Sequence, residues 1–211
     1  MEGALASKAP AGRVFGTHSK TKRSWPRSLA IGMFLGLLLG GVILTAKALY
    51  IPVKAEVAQV LLARAFEQGL EQGQPVKPWS WADTAPVARV SVPQLGASEV
   101  VLSGGSGEAM AFGPTTLVDD RARGITVLAA HRDTHFTFVQ RVLIGESIWL
   151  ERIDGSTEEF RATSADIVRW DEFSYPAEGG EGLIALTTCY PFDSHTPGPL
   201  RYVIWAERVA E

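Results

Sequence analysis

Two successive hydrophobic patterns occupy the first third of the chain. Residues 28–46 carry no charged side chain and would extend about 28 Å as a helix, close to the thickness of a bilayer core. This pattern predicts a transmembrane anchor over residues 28–50. Residues 52–72 instead place apolar side chains at helical spacing on one face and charged or amide side chains on the other. They predict an amphipathic helix.

The segment 73–86 separates these helices from the rest of the chain. It contains three prolines around Trp79 and Trp81, which is too much proline for a helix or a central strand. We therefore predict a connecting region over residues 51–86, made of the amphipathic helix and a linker. The two tryptophans are expected to anchor the linker to the following domain.

From residue 87 onward, short apolar or alternating runs are separated by turn residues, which is typical of antiparallel strands. The predicted strands cover residues 87–92, 99–102, 124–130, 147–152, 159–169, 183–188 and 200–206. Asp154-Gly155 between the fourth and fifth runs is a strong hairpin turn. With seven or eight strands and little helix, residues 87–211 predict a mostly β fold, a closed or nearly closed barrel.

Composition and charge narrow the possible functions. A chain of 211 residues with 46% hydrophobic content fits one folded domain plus an appendage. The formal net charge of -3, without a patch of alternating basic and aromatic residues, argues against a nucleic-acid partner.

The basic residues before the uncharged run predict its orientation. Residues 1–27 hold six lysines and arginines against one acid, so we expect a cytoplasmic basic tail, with the bulk of the chain outside. A cleaved signal peptide is the alternative, because Ala46-Lys47-Ala48 resembles a cleavage site. The apolar run exceeds the usual signal core, which favours an uncleaved anchor.

The single cysteine, Cys189, follows the predicted strand 183–188 and precedes a proline-rich loop. If the next strand pairs antiparallel with it, Arg201 returns to a position beside Cys189. A thiol reacts as thiolate, and a neighbouring cation favours that form and stabilises the oxyanion made by its attack. An unpaired thiol in an exported protein suggests a nucleophile, and the alternative is a buried cysteine that packs as a small hydrophobe.

These residues resemble the active-site strands of a sortase, a cysteine transpeptidase with a Thr-Leu-x-Thr-Cys run on one strand, an arginine on the next and a histidine well upstream. Leu186, Thr188 and Cys189 match that run, and Ala185 replaces its first threonine. Arg201 follows Cys189 by 12 residues, and His131 precedes it by 58. The resemblance begins near residue 50. Together with the N-terminal anchor, the run around His131 is most similar to the sortases of Gram-negative bacteria.

The resemblance implies a role for each residue. Cys189 attacks a C-terminal sorting signal of the Leu-Pro-x-Thr-Gly kind and forms a thioacyl enzyme. His131 acts as general acid and base, and Arg201 holds the carbonyl or the oxyanion. Thr188 and His195 are expected to contact substrate.

The implied partners are a surface protein with that signal, an amine acceptor of unknown identity, and the membrane. No metal and no cofactor is expected. The implied location is the inner (cytoplasmic) membrane, as a single-pass protein with its catalytic domain in the periplasm.

Other functions stay open at this point, because a Cys/His pair alone would equally suit a hydrolase. A cysteine peptidase and a non-catalytic extracytoplasmic binding domain on a membrane stalk are both compatible with the pattern. A cell-wall L,D-transpeptidase is disfavoured, since the His-Gly-Cys context of that family is absent.

Neighbours of His131 offer further interpretations. His135 could join it as a metal ligand on a helix, but no third ligand has matching spacing, so we expect His135 to cap or pack. Asp133 could orient His131, although a turn role is commoner. Arg132 is a weaker oxyanion candidate than Arg201, because strand alternation turns it away from the side of His131.

Overall fold

The computed structural model describes residues 27–177, 180–194 and 196–210. The predicted basic tail lies outside this range except for Arg27, and the predicted substrate contact His195 also lies outside it. The chain divides into two compact units, Met1–Ala48 and Leu49–Glu211.

One long helix, α1 (Arg27–Gln72), replaces the two helical segments expected from the sequence. Pro52 lies inside it. A proline removes one backbone hydrogen bond, and the good helix formers on both sides allow the helix to continue past it. The part of α1 in the first unit is apolar enough and the helix long enough to cross a membrane, and its large side chains are exposed.

The part of α1 in the second unit buries one face, while Val53, Val57 and Val60, which also belong to the apolar pattern in the sequence, are at least half exposed. It buries Ala58, Leu62, Ala65, Phe66 and Gly69, which lie three or four residues apart along one face. The guanidinium of the strand residue Arg89 covers the Phe66 ring at 4.3 Å. This helix face therefore packs on the strands of the second unit.

The linker tryptophans behave differently from each other. Trp79 packs edge-on against Phe112, with ring centroids 5.4 Å apart, so it anchors the linker as expected. Trp81 is 80% exposed, and the same expectation is wrong for this residue.

Eight strands form one closed barrel, in the order β1-β2-β3-β4-β7-β8-β6-β5. The mostly β fold and barrel closure are thus confirmed. The strands are β1 (Pro86–Val92), β2 (Ala97–Leu102), β3 (Thr115–Asp120), β4 (Ile125–Ala129), β5 (Ser147–Arg152), β6 (Thr157–Arg169), β7 (Leu183–Tyr190) and β8 (Leu200–Arg208). The short helix α2 (Gly107–Met110) and two 3₁₀ turns, Pro93–Leu95 and Val139–Arg141, complete the described elements.

Seven of these strands lie where the sequence predicts them, within a few residues at each end. The predicted Asp154-Gly155 turn connects β5 to β6, and Gly155 has a φ of 82°, a left-handed conformation that glycine adopts without strain. Strand β3 is the one that the sequence pattern missed.

Two of the barrel contacts are parallel, β2 with β3 and β4 with β7. The other strand pairs, including the predicted pair β7 and β8, are antiparallel. Because β4 and β7 run in the same direction, the residues that follow them emerge at the same end of the barrel.

The barrel interior is filled by aliphatic and aromatic side chains. Burying each large one contributes about 1.5–3 kcal/mol. Strand β4 is buried at every position and β7 at five consecutive positions, a pattern typical of strands that are covered on both faces. The largest fully buried side chains in the strands include Leu102, Ile125, Leu128, Ile148, Leu150, Ile184, Leu186 and Ile204. Strands β4 and β7 are therefore packed on both faces, which fixes the positions of the residues that follow them.

The end of the barrel where β4 and β7 begin contains a network of ion pairs. The buried Arg152 donates from Nη1 to Asp119 at 2.8 Å and from Nε to Glu158 at 3.1 Å. Arg208 also reaches Glu158, at 3.0 Å, and Arg121 binds Asp154 at 2.6 Å. Each arginine of this network has a carboxylate partner.

Candidate active site

The antiparallel pair β7 and β8 places Cys189 directly opposite Arg201. This is the neighbourhood that the sequence predicts. The strand continues two residues past the predicted range 183–188, to Tyr190, and the loop to β8 then begins with a cis Tyr190-Pro191 peptide.

The parallel pair β4 and β7 brings in the third residue. Ala129 pairs with Thr187, so the same register continued by two residues puts His131 level with Cys189. The Ala130 N–H donates to the Thr187 carbonyl at 3.3 Å, and the Thr188 hydroxyl donates to the Ala130 carbonyl at 2.7 Å. These bonds carry the strand pairing up to the residue before His131.

His131, Cys189 and Arg201 line one cavity of about 330 Å³. His131 is exposed, while Cys189 and Arg201 are half-buried, so the thiol lies inside the cavity mouth. The rest of the lining is mainly apolar and includes Met110, Leu117, Trp170 and Phe173. The structure thus brings together a nucleophile, a potential acid and base, and a permanent cation beside an apolar wall.

Arg201 is held by backbone rather than by an acid. Its Nη1 donates to the carbonyls of Gly198 and Leu200, each at 2.9 Å. Within the described ranges, none of its nitrogens has a carboxylate oxygen within ion-pair distance. The guanidinium is therefore fixed in direction while its positive charge stays available to a thiolate or an oxyanion.

The sequence predicts that Thr188 contacts substrate, and in the structure its side chain makes a hydrogen bond within the site. It is 2% exposed, and its hydroxyl is engaged by the Ala130 carbonyl. It also lines the cavity. This arrangement ties the strand of Cys189 to the segment that carries His131.

The other candidate residues near His131 are not among those that line the cavity. His135 Nδ1 lies 2.9 Å from Glu99 Oε2, and Phe136 beside it is fully buried, which agrees with the predicted packing role. Among the described residues, no group of three or more His, Cys, Asp or Glu side chains could hold a metal. Asp133 is exposed, and the structure gives it no hydrogen bond to His131.

Sequence reasoning missed the apolar wall of the cavity. Trp170 follows β6 directly, and Leu117 lies in β3, the strand that was not predicted. Pairing between β6 and β8 brings Val168 opposite Arg201, and Trp170, two residues further, lines the same cavity as Arg201. A tryptophan just beyond a predicted strand was the available signal, but the strand order needed to interpret it is not visible in the sequence.

An aromatic cluster flanks the nucleophile on the same two strands. Tyr202 stacks with Tyr190 at 6.4 Å and meets Phe192 edge-on at 5.1 Å. Burial, and secondarily the nearby Tyr190, raises the pKa of Tyr202 above its ordinary value, so this phenol stays neutral at physiological pH. The cluster packs the beginning of the loop that follows Cys189.

Comparison with known proteins agrees with this geometry. The sortase domain family matches residues 90–209, more than half of the chain, and this range contains His131, Cys189 and Arg201. The chain belongs to the sortase family. Membership implies a cysteine transpeptidase that acts on a protein with a sorting signal.

Solved structures with this fold are also sortases. They include sortase C1 of Streptococcus agalactiae in complex with MTSET (TM-score 0.52, 21% identity, 60% of this chain and 70% of that one). Sortase A of Corynebacterium diphtheriae (0.54, 20%, 62% and 64%) and sortase A of Listeria monocytogenes (0.50, 23%, 59% and 88%) are similar too. These are sortases of Gram-positive bacteria, so they do not confirm the closer resemblance to Gram-negative sortases. No curated protein matches the chain.

Proposed function

We propose that this protein is a membrane-anchored sortase that cleaves a C-terminal signal of the Leu-Pro-x-Thr-Gly kind and transfers the protein to an amine acceptor. The observation that carries the proposal is the cavity shared by His131, Cys189 and Arg201. A nucleophile, a titratable base and a permanent cation are the groups that an acyl transfer through a thioester requires.

The first half of the reaction forms the thioacyl enzyme. The Cys189 thiolate attacks the carbonyl carbon of the scissile peptide bond, and the bonding electrons move to the carbonyl oxygen. Arg201 stabilises this oxyanion with its forked N–H groups. When the tetrahedral intermediate collapses, the C–N bond breaks, and His131 donates a proton to the departing amine.

The second half releases the product. His131, now neutral, accepts a proton from the incoming amine as that amine attacks the thioester carbonyl. A second oxyanion forms beside Arg201, and its collapse breaks the C–S bond and restores the thiolate. Water in place of the amine would give hydrolysis, so the relative rates at which amine and water attack the thioester decide between the two products.

The apolar wall supports an apolar residue in the signal. Leu117 and Trp170 are largely exposed, yet both lie beside Cys189 in the same cavity. Burying a leucine side chain there would contribute about 1.5–3 kcal/mol to binding. Thr188 would contact substrate through its methyl group, since its hydroxyl is engaged, and His195 is proposed as a loop contact on sequence grounds.

Residues 28–50 are proposed as the single-pass anchor, with the N-terminus in the cytoplasm and the catalytic domain in the periplasm. The apolar, exposed first part of α1 and the basic residues before it support this topology. A reporter fused after Glu211 should be active only outside the cytoplasm, and the full chain should sediment with membranes. Recovery of a soluble species that starts near residue 50 would indicate a cleaved signal instead.

The reaction is tested with the full-length protein in detergent, a fluorogenic Leu-Pro-x-Thr-Gly peptide and a small primary amine. A peptide–amine conjugate, detected by mass spectrometry together with a thioacyl adduct on Cys189, is the expected result. A hydrolysed peptide without conjugate at any amine concentration would identify a peptidase. Peptide binding without adduct or cleavage would identify a binding domain.

A further inference from the structure

Arg132, the residue after His131, reaches the loop that connects β7 to β8. Its Nη2 donates to the carbonyls of Ser194 and Thr196, the latter at 3.1 Å. Ser194 follows Cys189 by five residues, and Thr196 precedes Arg201 by five. One guanidinium therefore joins the segment that carries His131 to the middle of the loop between the other two site residues.

Ser194 and Thr196, which supply the two carbonyls, are also joined by hydrogen bonds of their own. The Ser194 hydroxyl lies 3.1 Å from the Thr196 carbonyl, and the Thr196 N–H donates to the Ser194 hydroxyl at 3.2 Å. A terminal guanidinium nitrogen carries two hydrogens, one for each carbonyl. Arg132 thus binds a preorganised pair of acceptors rather than one mobile oxygen.

The contact between Arg132 and the β7–β8 loop carries an energetic cost, which suggests that Arg132 does more than stabilise the fold. Arg132 Nη1 is buried and has no hydrogen-bond partner among the residues that the structure describes. A buried donor without a partner is unfavourable, so each such group in a folded protein calls for an explanation. An apolar side chain at this position would pack the loop without that cost.

We propose that Arg132 is a positioning residue that holds the β7–β8 loop against the segment of His131. It thereby fixes the gap between His131 and the pair formed by Cys189 and Arg201. The catalytic part of this inference rests on the proposed function, whereas the tie between loop and segment does not. A misplacement of about 1 Å between reacting groups can cost up to about a hundredfold in rate.

Hydrogen exchange of the full-length protein tests the tie. In Arg132→Met, the amides of residues 190–200 should exchange about tenfold faster or more, the change expected for the loss of a charge-assisted hydrogen bond. Arg161→Met is the matched control, because Arg161 also donates to a backbone carbonyl, that of Gly145 at 3.1 Å, away from the site. It should leave exchange in residues 190–200 unchanged. Unchanged exchange in Arg132→Met would overturn the proposal.

Steady-state kinetics tests the positioning role. Arg132→Met should lower kcat by about tenfold to a hundredfold and change KM much less, because the loss falls on the geometry of proton transfer. Arg132→Lys keeps the charge and a donor and should recover part of kcat. If Arg132→Met loosens the loop but keeps the wild-type kcat, the tie is only structural and the proposal fails.

Two further outcomes are distinguishable. If the wild-type protein neither cleaves nor transfers the peptide, the proposed function fails, while hydrogen exchange still decides whether Arg132 ties the loop. If Arg132→Met does not fold, Arg132→Lys carries both measurements. Its exchange and kcat must then both lie on the defective side of the wild-type values, since wild-type values for both would contradict the proposal.

Discussion

Two arginines at opposite ends of the barrel differ in their hydrogen-bond partners. At the end where β4 and β7 begin, the 8% exposed Arg152 has Asp119 and Glu158 within 3.1 Å. At the other end of the same strands, Arg201 binds only backbone carbonyls within the described ranges. The two arginines lie on a common framework, because β7 and β8 contribute residues to both ends of the barrel.

The difference shows how to separate structural charge from functional charge in this fold. An arginine surrounded by carboxylates has its field neutralised locally, and its removal leaves those carboxylates without a partner, which destabilises the fold. An arginine held by neutral carbonyls keeps its electrostatic field, which can stabilise an anion that binds or forms nearby. Substitutions at the two ends should therefore fail in different measurements, activity at one and stability at the other.

Cys189→Ala should give the largest effect at the catalytic end. We expect complete loss of peptide cleavage, because no other described residue in the cavity can form the thioester. The midpoint of thermal unfolding should stay within a few degrees of wild type, since a half-buried sulfur is a small loss. Mass spectrometry after incubation with substrate checks cleavage, and thermal denaturation checks the midpoint. A covalent substrate adduct on the variant would show that the nucleophile was misassigned.

His131→Ala should lose most activity and flatten the pH profile of what remains. The histidine must both donate and accept a proton, so the loss of these proton transfers should change how the rate depends on pH. The measurement is kcat/KM from about pH 5 to pH 9 for both proteins. An unaltered profile in the variant would assign the proton transfer to another group.

Arg201→Lys should lower turnover by about a hundredfold or more if its loss resembles that of one oxyanion donor. Lysine keeps the charge but lacks the planar fork, so geometry rather than charge is removed. Because the contact strengthens in the transition state, KM should change much less than kcat. A rise in KM with unchanged kcat would make Arg201 a ground-state binding residue, and another donor would then serve the oxyanion.

Arg152→Met tests the ion-pair network at the opposite end of the barrel. We expect a loss of about 1.5–3 kcal/mol in the free energy of unfolding, because hydrogen bonds to charged partners are removed. Turnover of the folded protein should stay near the wild-type value. Arg208→Met is the control, since Arg208 is more exposed and its side chain pairs with Glu158 alone among the described residues, so its loss should stay below about 1 kcal/mol. Chemical denaturation measures both, and reduced turnover in Arg152→Met would break the proposed separation of the two ends.

Asp154→Asn should give the smallest effect, which is detected by comparing the stability of variant and wild type at different pH values. The Ser156 hydroxyl, followed by the Arg121 guanidinium, lowers the pKa of the Asp154 carboxyl below its ordinary value. A depressed pKa in the folded state stabilises the protein above the unfolded value, near pH 4, and that stability is lost as the pH falls further. The side chain is 40% exposed, so solvent screens the effect. Unfolding midpoints of variant and wild type should differ slightly at pH 7 and converge below about pH 4.

The strand framework was predictable because its signal is local. Alternating or continuous apolar runs between turn residues identified seven of the eight strands, and the closed barrel followed from their number. Strand β3 escaped because Thr115–Asp120 begins with two threonines and ends with two acids, and its fully buried residue is the polar Thr115. Such a strand has the composition of a loop.

The candidate site was predictable only in part. The neighbouring strands β7 and β8 are consecutive, so the proximity of Cys189 and Arg201 could be inferred from an antiparallel return. The parallel contact between β4 and β7 skips two intervening strands, and nothing local encodes it. The apolar wall with Trp170 and the reach of Arg132 to Ser194 depend on that same non-local order.

The position of β8 in the barrel sets the timing of assembly. This strand lies between β6 and β7, although it is the last of the described strands along the chain. Proteins are made from the N-terminus at about 5–20 residues per second, so Cys189 exists before the strand that closes the barrel and brings Arg201 beside it. Until then, β6 and β7 each present an open edge that can pair with other chains. The Cys189 thiol of a nascent chain therefore has no Arg201 beside it until β8 has been made, and the open edges of β6 and β7 persist until then.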